Sequence, residues 1–221
     1  QIVELRKGEN LREQISSGLD QLSGVDGAVK IVDQLAAVLA QMHRNGYVHR
    51  AIRPDNIRIN EDGTAVFDRF AEVQNLNGIS FDKLPGEIAA QYQNWMSPEQ
   101  SAGRGVDPRS DVYQLAQLLP FLLSAKDPHA SGYASYNPLG SDIPKGSPLA
   151  RFVEKASAAD PAARFQSMDE FRSELKKAYE QHNSEREAKR NEIIALKATD
   201  ILNRKIMHRE ELNEMASNFE Y

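Results

Sequence analysis

The chain has 221 residues, 27 basic against 32 acidic side chains, and a formal net charge of −5. It is long enough to bury a core, and its mild acidity excludes a simple electrostatic binder of nucleic acid or of an anionic membrane. It has no cysteine, hence no disulfide scaffold, thiolate nucleophile or Cys-ligated metal; this fits a reducing compartment, and the protein is expected to be cytoplasmic.

Gln1 to Leu5 is a short apolar run expected to form a strand, punctuated by Gly8-Glu9-Asn10. Leu11, Ile15, Leu19 and Leu22 recur at helical spacing, interrupted by Gly18, and Ser23 to Gly27 reads as a loop. From Ala28 to Arg44, the residues Ile31, Val32, Leu35, Val38, Leu39 and Met42 make one apolar stripe, which predicts a helix stopped by Asn45-Gly46. Ile57 and Ile59 then alternate with polar neighbours, Glu61-Asp62-Gly63 supplies turn chemistry, and Thr64 to Phe67 is the return strand. Asp68 to Pro98 lacks periodicity and reads as an ordered loop region of a length usually tied to function.

Ser110 is a candidate cap for a helix running to about Leu123, which Pro120 would kink or end. The longest apolar stretch, Val112 to Leu123, is broken by Gln114, Gln117 and Pro120, too short for a membrane span. Ala125 to Ser147 is rich in Gly, Pro, Ser and Asn and is expected to be a surface excursion. Helices are predicted from Pro148 to Ala159 and from Ser167 to about Tyr179, and Gln181 to Tyr221 is helix-prone with mixed charge.

The segment Tyr47-Val48-His49-Arg50-Ala51-Ile52-Arg53-Pro54-Asp55-Asn56-Ile57 follows a helix and precedes a hairpin. It resembles the catalytic loop of eukaryotic-type protein kinases, His-Arg-Asp followed by Lys-Pro and Asn. Further resemblances follow in the family's order: Asp68-Arg69-Phe70 for Asp-Phe-Gly, Met96-Ser97-Pro98-Glu99 for the end of the activation segment, Ser110-Asp111-Val112-Tyr113 for the central helix, and Asp160-Pro161 with Arg164-Phe165 for the late Arg motif. Gly8 to Leu11 looks like the segment after the hinge, and Met96 to Gln100 and Asp160 to Leu175 are most like bacterial Ser/Thr kinases. The resemblance implies a mainly α fold with a small β-hairpin, a kinase-like C-terminal lobe over residues 1–180 and a helical extension over 181–221. The family's N-terminal lobe, with its Gly-rich loop and Lys–Glu pair, has no counterpart here, so the chain is expected to be either a piece of a longer protein or a reduced kinase fold.

Five departures touch chemistry. The position of the catalytic Asp is Ala51, which has no proton acceptor. Arg53 replaces a Lys and keeps charge but not shape. Arg58 stands where the family has an apolar floor for adenine, and Arg69 and Phe70 replace Phe and Gly. Asp68 to Glu99 contains no Thr, and its Ser residues are Ser80 and Ser97. Asn56 and Asp68 match the two metal-ligand positions and are expected to be vestigial cofactor and metal sites. His49 and Arg50 are expected to tie the loop to the core, Glu99 and Arg164 to form a buried ion pair, and Asp111 to hold loop amides. Trp95 and Phe70 are expected to pack in the core. His43, His129, His182 and His208 show no metal spacing and are expected on the surface or between helices.

A sequence that keeps architecture and loses chemistry implies a pseudokinase: a scaffold or regulator without cofactor, with no nucleic-acid partner and no membrane segment. Ile194, Ala198, Ile201, Leu202, Ile206, Leu212 and Met215 suggest an apolar stripe within 185–216 through which a protein partner would dock. The alternative is an atypical kinase or nucleotide-binding domain that uses ATP and magnesium and whose N-terminal lobe lies outside the chain.

Overall fold

The structure, a computed structural model, describes residues 9–18, 24–70, 72–76, 92–128 and 143–217, with the backbone alone at 212 and 214–217. The expected strand at Gln1–Leu5, the positions Leu19, Leu22, Ser80 and His129, and most of the 125–147 excursion lie outside the described residues. The chain divides into two compact units, 1–179 and 180–221.

Helix α1 (Leu11–Ser16) opens on a capping box: Asn10 accepts from the Glu13 amide, and the Glu13 carboxylate accepts from the Asn10 amide. Helix α2 (Gly24–Arg44) begins within the stretch expected to be a loop. Two glycines signalled a turn there, yet Val25 is buried and extends the apolar face, and that burial outweighs a helix penalty of about 1 kcal/mol per Gly. Gly46, at φ 78°, ends it as anticipated.

Four short strands follow: β1 (Tyr47–Val48), β2 (Ile57–Ile59), β3 (Ala65–Phe67) and β4 (Gln74–Asn75). They form two antiparallel ribbons among the described residues, β1 with β4 and β2 with β3. The β2–β3 hairpin matches the sequence pattern, with Ile57 opposite Phe67 and Ile59 opposite Ala65. The β1–β4 ribbon was not anticipated, because two-residue strands carry no period to detect.

The helical part continues with α3 (Pro98–Ser101), α4 (Pro108–Ser124), α5 (Pro148–Ala156) and α6 (Met168–Ser217). Asp107, not Ser110, caps α4, with Pro108 in the first turn; Ser110 lies inside the helix and is buried. Pro120 does not end α4, which runs on to Ser124, where the Ser124 hydroxyl donates to the Pro120 carbonyl at 2.8 Å. Helix α5 stops at Ala156, short of the expected Ala159. The core of the first unit lies between α2 and α4: Leu35 and Leu39 from one meet Leu115, Leu118 and Leu119 from the other, all fully buried. Phe152, Phe165 and Phe171 close it beneath, with ring centroids 4.8–5.9 Å apart.

In the second unit, large apolar side chains between 193 and 207 are roughly half exposed. At about 100° per residue, Ile194 and Ile201 share a face, but Leu196 and Met207 fall on the opposite one. Ile194, Ala198, Ile201 and Leu202 of the expected stripe thus lie within about 100° of one another, Leu196 and Met207 add apolar surface on the opposite side, and the side chains of Leu212 and Met215 lie outside the described residues. No helix among the described residues is long and apolar enough to cross a membrane.

Candidate functional site

The loop after β1 is held from α4. Arg50 has a positive φ of 67°, a strained conformation for a residue with a side chain. Asp111 holds it there: its Oδ2 accepts from the His49 amide and its Oδ1 from the Arg50 amide, each at 2.8 Å. One turn on, Gln114 accepts from the Ile52 amide at 3.2 Å and donates to the Arg50 carbonyl at 3.1 Å, and Gln100 donates to that carbonyl at 2.9 Å. His43 Nε2 lies 2.8 Å from Asp111 Oδ2, so this histidine sits between helices α2 and α4, one of the two placements expected for it, and belongs to the loop's anchor.

His49 is fully buried. Burial lowers the imidazole pKa, against the opposite pull of Asp111 and Glu72. Its Nδ1 accepts from the Ala51 amide at 3.3 Å, so the ring proton sits on Nε2, which is buried without a hydrogen-bond partner. The ring packs on Phe67 at 4.3 Å and on Phe70 at 5.5 Å. Phe70 nevertheless remains 47% exposed, contrary to the core placement expected, whereas Trp95 is buried.

Position 51 presents only a buried methyl group. The Ala51 carbonyl accepts from Asn56 Nδ2 at 2.9 Å, and Asn56 Oδ1 is buried without a partner. The Asp68 amide donates to the Asn56 carbonyl at 2.8 Å, one step past the Ile57–Phe67 rung, so the hairpin brings these two residues together. Arg58 reaches the same place: its Nη2 donates to Asp68 Oδ1 at 2.9 Å. Arg53 makes a forked pair with Glu72, at 3.1 and 2.6 Å, and its guanidinium lies 3.7 Å from the centre of the Tyr92 ring. The cations at 53 and 58 are thus each matched to a carboxylate of the chain itself. Glu72 and Tyr92 escaped sequence reasoning: neither sits in a motif, and only tertiary contact joins them to Arg53.

Farther from the loop, Arg164 and Glu99 form a forked ion pair, both contacts at 2.8 Å. Ser110 Oγ also donates to Glu99 Oε1 at 2.6 Å. Burial pushes the Glu99 carboxyl up, but the hydrogen bonds from Arg164, Ser110 and its own backbone win and hold it down at about 2. The remaining Arg164 donors go to the carbonyls of Ala158, Ala159 and Arg109.

A family model described as protein tyrosine and serine/threonine kinase matches residues 1–196. This chain belongs to the protein kinase family. The serine/threonine-protein kinase PknL of Mycobacterium tuberculosis is 32% identical over 176 residues, covering 74% of this chain and 43% of PknL. The probable serine/threonine-protein kinase SCO3848 of Streptomyces coelicolor is 30% identical over 188 residues, covering 79% of this chain and 27% of that protein. The crystal structure of the Mycobacterium tuberculosis PknI kinase domain aligns with a TM-score of 0.55 at 22% identity, over 78% of this chain and 63% of that one, a likeness of fold. The chain therefore spans less than half the length of these curated relatives.

In the kinase family the loop Asp takes or orients the acceptor proton, and the loop Asn and the Asp of Asp-Phe-Gly hold magnesium. Asn56 and Asp68 are the matching donors here. Asn56 Oδ1 suits a metal, but Asp68 Oδ1 is already bound to the Arg58 guanidinium. The residues do not fit a resident magnesium ion.

Proposed function

We propose that this chain is a kinase-fold module that does not transfer phosphate and acts by binding a protein partner, with residues 1–180 as the larger lobe of the fold and 181–221 as a helical extension. The observation that carries it is Ala51: the loop around it is held in place by Asp111, Gln114 and Asn56, yet the side chain at its centre is a methyl group. A missing acid–base group typically costs roughly 10²- to 10⁴-fold in rate. Arg53 adds to this, because the cation that would meet a transferring phosphate is already forked onto Glu72. Partner binding is assigned to 185–216, within which the large apolar side chains between 193 and 207 lie exposed.

The second reading, an atypical kinase or nucleotide-binding domain completed by a lobe outside this chain, draws on the unpartnered, buried Asn56 Oδ1 and on relatives named as serine/threonine kinases. Incubating the intact protein with radiolabelled ATP and magnesium separates the two. The expected outcome is no transfer above background; robust transfer abolished by Asp68→Ala would establish the second reading. In the same preparation, deleting 185–221 is expected to end association with partner protein while the remaining lobe melts at nearly its original temperature. A complex that survives the deletion would move the binding surface elsewhere.

A further inference from the structure

We propose that Arg58 is a built-in counter-ion that takes the place of a divalent cation at Asp68, so that this site is metal-independent; the inference rests on the non-catalytic reading above and deepens it. Arg58 lies in the middle of β2, between two residues, Ile57 and Ile59, that are buried in the core. It is itself only 8% exposed. A cation that deep in a strand is tolerated when a carboxylate meets it, and Asp68 does so at 2.9 Å. The hairpin sets the Asp68 backbone beside Arg58, with its amide tied to the Asn56 carbonyl at 2.8 Å. Asn56 is tied in turn to the Ala51 carbonyl, and its buried Oδ1 has no partner.

The two oxygen donors of a cation site have therefore been kept, with a guanidinium set against one of them. Magnesium binds oxygen at about 2.0–2.1 Å and demands near-octahedral geometry. An ion at that distance from Asp68 Oδ1 would stand within roughly 5 Å of Arg58 Nη2, where like charges repel strongly in a partly buried setting. Asp68 has also spent its negative charge on Arg58, so little attraction for a divalent ion is left. The same neutralisation works in the other direction: the pair offers no net positive charge to a phosphate. Arg58 thereby excludes both halves of a metal–nucleotide complex.

The test is Mn²⁺ titration of the full-length protein without nucleotide, followed by electron paramagnetic resonance and calorimetry. Wild type is expected to show no Mn²⁺ site that depends on Asp68. Arg58→Leu is expected to bind Mn²⁺ roughly tenfold more tightly than wild type once the repulsion is removed, and Asp68→Asn in that background should abolish the gain. Wild-type binding of Mn²⁺ that Asp68→Asn removes would overturn the proposal, as would a folded Arg58→Leu protein that gains nothing. If Arg58→Leu does not fold, Arg58→Gln replaces it, and the wild-type titration decides independently. Phosphate transfer that persists in EDTA would end the non-catalytic reading but leave metal independence standing. Mn²⁺ binding by wild type without transfer would do the reverse.

Discussion

Two arginines show how unevenly this chain has kept the protein kinase pattern. Arg164 uses all five of its N–H donors: two on Glu99 and one each on the carbonyls of Ala158, Ala159 and Arg109. Arg53 makes one forked pair with Glu72 and stacks on Tyr92, and its Nε is buried without a hydrogen-bond partner. The first is a saturated joint between distant segments. The second is a local pairing of a cation with whatever anion lay near. Every N–H of the Arg164 guanidinium meets an acceptor, whereas around the loop Asn56 Oδ1, His49 Nε2, His43 Nδ1 and Arg53 Nε are buried without a hydrogen-bond partner. Buried polar atoms without partners make the loop network the less satisfied, and so the less stabilising, of the two.

The largest expected effect falls on the saturated joint. Arg164→Ala leaves Glu99 buried without its partner and strands three carbonyls. Removing one member of such a pair costs about 3–5 kcal/mol, which for a domain of this size lowers the melting temperature on the order of 10 °C. Calorimetry of wild type and variant measures it. A shift of about one degree would mean that the two regions differ less than their hydrogen bonds suggest.

Much of that joint was visible in the sequence. Glu99 after a Ser-Pro helix start and Arg164 after Asp160-Pro161 stand in motifs that survive because they carry architecture. The α2 stripe and the Glu61-Asp62-Gly63 turn were equally plain, since each element's period or turn chemistry is local. The partners of Arg53 and Arg58 were not plain. Glu72 and Tyr92 reach Arg53 only through the folded chain, and Arg58 could be assigned to the face opposite Ile57 and Ile59 without revealing that it bends onto Asp68. The cap at Asp107 had a signal, Asp followed by Pro at the first helical position, but the motif reading drew attention to Ser110 instead. In the 180–221 unit, periodicity picked out Ile194 and Ile201 and passed over Leu196 and Met207, which spread the apolar surface around the helix.

A smaller effect of the same joint is its acid limb. Glu99 is held down at about 2 against an ordinary 4.5, so the folded state prefers the carboxylate. A depressed carboxyl contributes its stability fully above the unfolded value and loses it as pH falls from about 4.5 towards 2. The span corresponds to about 3 kcal/mol. Urea midpoints at pH 7 and pH 3 should therefore differ more for wild type than for Glu99→Gln, which cannot titrate. Equal differences would show that other carboxylates govern the acid limb.

The smallest expected effect lies at Arg53, and it tests the contrast most directly. Either Arg53→Met or Glu72→Leu alone leaves the other charge with little solvent and no partner, a cost of about 1–3 kcal/mol. Their combination removes both charges together, and the long Met side chain can still lie along the Tyr92 ring. Because Arg53 has no carbonyls waiting on it, the double variant should recover most of the loss, with a coupling energy of about 1–2 kcal/mol. The same manoeuvre at Arg164 and Glu99 would fail, since three backbone carbonyls and Ser110 would remain unanswered. Chemical denaturation of the four proteins of the cycle measures it. If the Arg53–Glu72 double variant is as unstable as the sum of its singles, the pair is a structural joint like Arg164 rather than a mutual neutralisation of two charges.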